Sequence, residues 1–429
     1  MNNKFINTVY TNKALILIWI LFTSVEPFQF YAVIPYHPYK IITFLVTIYF
    51  LTVIITKKVK FKIDPFVLVI LIQILFSIVT IAIHYFSIKE FLIEDGTIYF
   101  NLLLQLIVIL ILYIFVKNFF CFRKLSLSFV KVLSIMSILA TIGVILIYIY
   151  NISPFSYTVR GGNRDISNFL LTFATGKIED NFFTIIRSSG YFDEPGTFAF
   201  YIVVAILLNK LYGFSKKNEY ILMIFGFCTL SLAFFISIFF YILIFSVIEK
   251  KIILLTILFS ILATLFIMIV SLKDENPLYQ QLYELTIYRL QSDGTTDSQQ
   301  FNGDNRSENI GYAYKAFLSA PLFGYGMNAH VNPKIEFYGK LCCNPLHPLA
   351  TEGIFGTIIY FLLFFLWFFI SFRFGYLDLL SFGAWLIVLL NLIQRPGFSN
   401  GPFGYFIYIL LINASIWRKD LYSLSSFKK

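Results

Sequence analysis

The stretch from Arg187 to Gly196, reading R-S-S-G-Y-F-D-E-P-G, sets one guanidinium and two carboxylates immediately before an apolar run. Its Pro195-Gly196 pair marks a helix entry. Glu194 then stands close to a helix N-terminus, where a carboxylate is favoured and can orient a hydroxyl or take its proton. Asp193 and Glu194 can equally serve only as helix-start residues. Around this stretch, Arg160, Arg289 and Arg306 add planar, permanently charged groups suited to two-point grip on phosphate or carboxylate. Pairing of these arginines with nearby loop acids is the competing reading. His347, leading into Pro348-Leu349-Ala350-Thr351-Glu352-Gly353, is the second candidate base or hydroxyl contact, and an ordinary interfacial histidine is the plain alternative. The spacing of His37, His84, His330 and His347 fits no metal-ligand pattern, so neither metal nor cofactor is expected.

These groups need a bilayer around them. The chain of 429 residues is 59% apolar and 13% charged, with a mean hydropathy of +0.80, whereas soluble domains carry about 25% charged residues. Apolar stretches near the ~20 residues that cross a bilayer core fall at 14–34, 39–56, 65–85, 97–116, 128–150, 196–212, 252–272, 352–372, 379–393 and 402–416. The stretch 219–248 is too long for one span and reads as two helices turning near Ser231. The expected fold is all-α, a polytopic bundle of about 12 helices. Helices 1–5 lie in 1–150, helices 6–9 in 196–272, and helices 10–12 with a tail in 351–429. Two large loops, 151–195 and 273–350, separate them. The first apolar stretch lacks a small-residue cleavage site and is read as a span.

Charge gives these elements a side. Lysines gather at 57–62, 117–124, 210–217, 250–251 and 419–429, which twelve spans place together, with both termini on the cytoplasmic side. The two large loops have net charges of −1 (four basic, five acidic) and −2 (six basic, eight acidic) and face outward. Six of nine arginines then map outside, against the usual bias, which points to an anionic ligand there. No cytoplasmic connector is long enough for a nucleotide-binding domain. The net charge of +10 sits in short connectors, which excludes a nucleic-acid surface. Cys121, Cys228, Cys342 and Cys343 show neither ligand spacing nor a disulfide framework. Within spans, Glu26 and Lys131 are the exceptional charges.

In the order Arg187–Gly196, Arg289 with Arg306, Pro321-Leu322-Phe323-Gly324-Tyr325-Gly326, and the His347 lead into Gly353, the sequence resembles the Wzy-type polymerases of the O-antigen ligase and polymerase superfamily. Ala313–Ser319 reads as a short interfacial helix, and Gly353 with Gly356 as a small-residue packing face. The resemblance implies joining of oligosaccharide repeats carried on undecaprenyl pyrophosphate, at the periplasmic face of a bacterial inner membrane. It further implies loop arginines (Arg160, Arg187, Arg289, Arg306) holding the pyrophosphate, and a chain-length regulator as a partner beside membrane lipid. A hydroxyl of one repeat would displace the lipid pyrophosphate of another, with inversion and with Glu194 or His347 taking the proton. The ligases carry H-[NSQ]-x9-G-x-x-[GTY], whereas His347 precedes Gly353 by only five intervening residues. Ligase activity and, from another class, transport of lipid-linked sugars stay open as alternatives.

Overall fold

Prolines and acids punctuate the apolar chain, and the helices start at them. The computed structural model describes residues 14–20, 38–59, 62–87, 93–150, 155–158, 165–169, 172–179, 184–192, 195–276, 279–280, 283, 306–327, 329, 332–341, 344–372, 378–394 and 402–426. A helical segment at 14–20 precedes α1 (Pro38–Thr56), α2 (Pro65–Ser87), α3 (Ile93–Phe119) and α4 (Phe122–Tyr150). Then come strands β1 (Phe155–Thr158), β2 (Asp165–Phe169), β3 (Thr172–Glu179) and β4 (Thr184–Gly190), followed by α5 (Pro195–Tyr212), α6 (Lys216–Gly226), α7 (Leu232–Ile248) and α8 (Ile252–Leu272). The chain closes with α9 (Arg306–Ser319), α10 (His347–Tyr360), α11 (Leu362–Ser371), α12 (Leu379–Gln394) and α13 (Pro402–Ser426).

Five helical stretches are long and apolar enough to cross a membrane: Pro65–Phe86, Tyr99–Phe119, Phe122–Leu146, Pro195–Tyr212 and His347–Ser371. Shorter apolar helices cover Ile41–Thr56, Leu232–Ile248, Ala263–Leu272 and Leu379–Ile393. This is the composition of a helical membrane protein. The central element is α5. Its apolar residues run round every face instead of forming one stripe, and nearly all of its side chains are buried against α4, α6, α7, α13 and β4.

One sequence expectation changes here and another holds. The all-α assignment omitted an antiparallel four-stranded meander, β1-β2-β3-β4, within residues 155–190. β3 and β4 lie against α4, and β4 also lies against α5. The turn expected near Ser231 is present: α6 passes into a single 3₁₀ turn at Phe227–Thr229, Leu230 takes a left-handed φ of 44°, and Ser231 is extended before α7.

The cationic connectors converge on one end of the bundle. Asp64, between α1 and α2, accepts hydrogen bonds from Tyr113 at 2.5 Å and from Lys117 near the end of α3. Six residues further on, the Arg123 guanidinium lies 4.6 Å from the ring centre of Trp417 in α13 and 5.8 Å from that of Phe214, between α5 and α6. Glu249, after α7, pairs with Lys210 and Lys251. Arg418 reaches Asp378, which starts α12, at 3.4 Å. These are the connectors that the charge pattern grouped on one side. From Lys210, α5 runs its 18 residues, about 27 Å, to the opposite end at Pro195.

Asp64 also caps α2, its Oδ1 accepting the Val67 N–H at 2.9 Å. Burial pushes its carboxyl up, but hydrogen bonds from Lys117, Tyr113 and Val67 outweigh this and hold it below the ordinary value of 3.8. A lowered folded pKa means that the stabilisation is present above pH 3.8 and disappears as pH falls through the folded value. Asp64→Asn keeps the cap and removes the charge. Since Lys117 is substantially exposed, the expected loss at pH 7 is about 1 kcal/mol or less. Melting curves in detergent should show this gap at pH 7 and its disappearance as pH falls below 3.8 and through the lowered folded value.

Candidate functional site

At the end opposite the cations, α10 is broken. Gly353 adopts φ 65° and ψ −167°, so the helical bonds that would join Ile354 to Ala350 and Phe355 to Thr351 are not made. The loop Pro321–Gly326 supplies replacements for all four groups. Tyr325 N–H donates to Ala350 O at 3.0 Å and Gly326 N–H to Thr351 O at 2.8 Å; Ile354 N–H donates to Pro321 O at 2.9 Å and Phe355 N–H to Leu322 O at 3.3 Å. In a bilayer this exchange is required, because no water replaces a lost backbone bond. Gly324 and Gly353 make the approach possible. A Cβ on Gly353 would lie 2.3 Å from the Leu322 carbonyl carbon, and one on Gly324 would lie 2.4 Å from that of Thr351. Gly353 is therefore a backbone break that receives a loop, not the helix-packing face expected from its spacing with Gly356.

The loop is held down by α2 and α3. His84, in the last turn of α2, donates from Nε2 to Phe323 O at 3.1 Å, since a carbonyl only accepts. Its Nδ1 then accepts from the Tyr99 hydroxyl at 3.2 Å, and Met327 N–H donates to the Tyr99 oxygen at 3.1 Å. Both side chains are buried. Phe76 stacks on Phe323 with ring centres 6.4 Å apart, and Phe355 packs against it at a tilt, 5.6 Å away.

Beneath the loop lies Glu352, 4% exposed. No hydrogen bond or ion pair to it exists among the described residues. Tyr405, in the first turn of α13, is within electrostatic reach and fully buried, with no partner for its hydroxyl. An unpaired acid in an apolar span is costly and marks a working residue by default.

Of the residues predicted from sequence, Arg187 and His347 have described side chains. Arg187, in β4, donates from Nε to Thr229 O at 3.3 Å, which ties the first loop to the turn between α6 and α7. Ser188 and Ser189 beside it are buried. Gly190 turns at φ +57° with Phe198 and Met136 packed over it, and Phe192 stacks on Phe198 and Tyr201. Arg187–Phe192 thus forms a corner on α4 and α5, whereas Asp193 and Glu194 lie outside the described residues. His347 opens α10, half-buried, with Nδ1–H donating to Leu341 O at 2.6 Å and its own carbonyl accepting from Thr351 Oγ1 at 2.9 Å. Arg306 opens α9, which is longer than the 313–319 helix expected, but its side chain lies outside the described residues. Arg160, Glu194 and Arg289 lie outside them as well.

Helix direction puts these groups together. The helices α2, α3, α5, α10–α11 and α13 each have one end among the cationic connectors. His84, Tyr99, Arg187, His347, Glu352 and Tyr405 all fall toward the other end. Sequence reasoning missed Glu352 and the His84–Tyr99 pair. The available signal was the acid inside T-E-G-I-F-G at the mouth of an apolar run. Among the described residues, no three His, Cys, Asp or Glu side chains gather as metal ligands. The chain matches no protein-family model and no curated protein sequence.

Proposed function

We propose that this protein is a membrane glycosyltransferase of about twelve spans that joins oligosaccharide repeats carried on undecaprenyl pyrophosphate into a surface polysaccharide. The reaction takes place at the outer face of a bacterial inner membrane, with both termini in the cytoplasm. The observation that carries this reading is the segregation of charge. Lysine-rich connectors occupy one end of the bundle, while a guanidinium set in an ordered corner, two histidines and a buried carboxyl occupy the other. A diphosphate at headgroup level needs fixed cations for its developing charge, and an attacking hydroxyl needs a proton acceptor. The second end supplies both kinds of group. Arg160, Arg289 and Arg306, with Glu194, complete the proposed set.

One observation favours a second reading, transport of a lipid-linked sugar: an acid buried at a broken helix is a recurring feature of transporters. Deleting the gene in its host separates the readings. Polymerisation predicts that single-repeat glycan persists while the long polysaccharide disappears, and that purified protein in liposomes lengthens the accumulated lipid-linked repeat. Movement of that lipid across the bilayer without lengthening would instead establish transport. Accumulation of unattached, full-length lipid-linked polymer would establish a ligase.

A further inference from the structure

Phe76 fixes how α2 lies on α10. Its ring edge comes 3.1 Å from where a Cβ on Gly356 would sit, and Glu352 Oε2 comes 2.9 Å from the same point. From the cationic end α2 runs outward, whereas α10 runs inward. One turn outward from Phe76 on the same face of α2 is Thr80, between this contact and His84, which holds the loop at Phe323. Glu352 precedes the break at Gly353 and turns its carboxyl back toward Gly356. Thr80 is fully buried and its hydroxyl has no hydrogen-bond partner. Tyr405 is in the same condition, within electrostatic reach of Glu352. Three helices thus direct two hydroxyls and one carboxyl, none with a hydrogen-bond partner among the described residues, toward the region between the Phe76 contact and the loop.

Leaving each such hydroxyl unpaired forfeits its hydration with nothing in return, and a carboxylate loses more. Packing does not explain the arrangement, because an apolar side chain at position 352 would avoid the cost. A group from outside the chain must complete it, and a hydroxyl-bearing sugar offers the donors and acceptors that these three lack.

We infer that Glu352, flanked by Thr80 and Tyr405, takes the proton from the attacking sugar hydroxyl in the transfer reaction, a role that rests on the glycosyl-transfer reading above. In that step the O–H bond of the acceptor breaks, and its proton passes to a Glu352 oxygen. The acceptor oxygen bonds to the anomeric carbon. The bond from that carbon to the pyrophosphate oxygen breaks, its electron pair leaving with the lipid pyrophosphate, and Glu352 later returns the proton to solvent.

The test uses full-length protein in liposomes, with lipid-linked repeat extracted from the deletion host as the probe. Glu352→Gln keeps the shape and cannot take the proton. It should insert normally and lower turnover about 100-fold, leaving the apparent KM for the lipid-linked repeat within about threefold. Glu352→Asp should restore part of the turnover with a displaced pH profile, which a purely structural role would not produce. Turnover by Glu352→Gln within about threefold of wild type overturns the role. If Glu352→Gln does not insert, Glu352→Asp carries the test: a pH profile that superimposes on wild type also overturns it. Wild-type protein that never lengthens the probe removes glycosyl transfer itself and this role with it, an outcome distinct from an active wild type with an active Glu352→Gln.

Discussion

Gly353→Ala is expected to abolish accumulation of folded protein in the membrane, the largest effect of any single methyl group added among the described residues. The backbone at Gly353, φ 65° and ψ −167°, lies in a region reserved almost entirely for glycine, which alone costs about 1–3 kcal/mol for another residue. The added Cβ would also sit 2.3 Å from a backbone carbon of Leu322 and 2.5 Å from Phe323 N, and neither atom can swing away as a side-chain tip would. The loop must therefore lift, which parts the four backbone bonds between Pro321–Gly326 and Ala350–Phe355. Their loss in an apolar surrounding, added to the strain, consumes most of a stability of about 5–15 kcal/mol. Gly324→Ala should behave similarly, since its Cβ would meet Thr351 and Glu352 backbone atoms at 2.4–2.5 Å. Two controls show that geometry and not glycine as such decides the outcome. Gly339 has φ +71° and open space around it, so its alanine variant should lose only about 1–2 kcal/mol. Gly311 lies inside α9 with nothing within 4 Å, and alanine there should be neutral or stabilising by up to ~1 kcal/mol. Yield and melting temperature of detergent-extracted protein would rank the four. Wild-type yield from Gly353→Ala would show that the junction is dispensable.

How much of this was legible in the sequence depends on the distance over which each signal acts. The grouping of connectors was readable because each carries its own lysines or arginines, and the contacts Asp64–Lys117, Arg123–Trp417 and Lys210–Glu249 bring together what charge alone had grouped. The break at Ser231 followed from length, since 30 residues exceed one bilayer crossing. The motif Arg187–Gly196 read as ordered, and Phe192 and Gly190 pack as such a corner requires. The meander of β1–β4 was not readable from a hydropathy window tuned to helices, which scores short strands only as a loop. Glu352 vanished for a related reason, because one acid barely moves the average over an apolar stretch of 25 residues. The junction was hidden for another reason. Pro321–Gly326 and Ala350–Phe355 meet through main-chain groups that every residue possesses, so only the glycines hinted at it, and glycine spacing alone fits helix packing equally well.

Arg187→Ala should reduce lengthening of lipid-linked repeat about 1000-fold while the protein still inserts and melts near the wild-type temperature. The two roles open to Arg187 differ in what they make its neighbours do. As a tie, it holds β4 to the turn after α6 through the hydrogen bond from Nε to Thr229 O at 3.3 Å, and losing such a bond costs about 1–2 kcal/mol of stability. As a phosphate grip, it supplies charge that strengthens its contact as the leaving pyrophosphate forms, and removing one preorganised donor of that kind costs about 100- to 1000-fold in rate. A guanidinium carries five N–H donors in one plane, a geometry matched to the oxygens of a diphosphate. Lysine separates the roles further. Arg187→Lys keeps the charge and loses the planar fork, so it should recover only a small part of the rate, with weaker discrimination for the diphosphate over a monophosphate lipid. Full activity in the lysine variant would reduce the requirement to a point charge. A collapse in melting temperature for Arg187→Ala as large as that expected for Gly353→Ala would instead make the corner, and not the pyrophosphate, the reason for an arginine at this position.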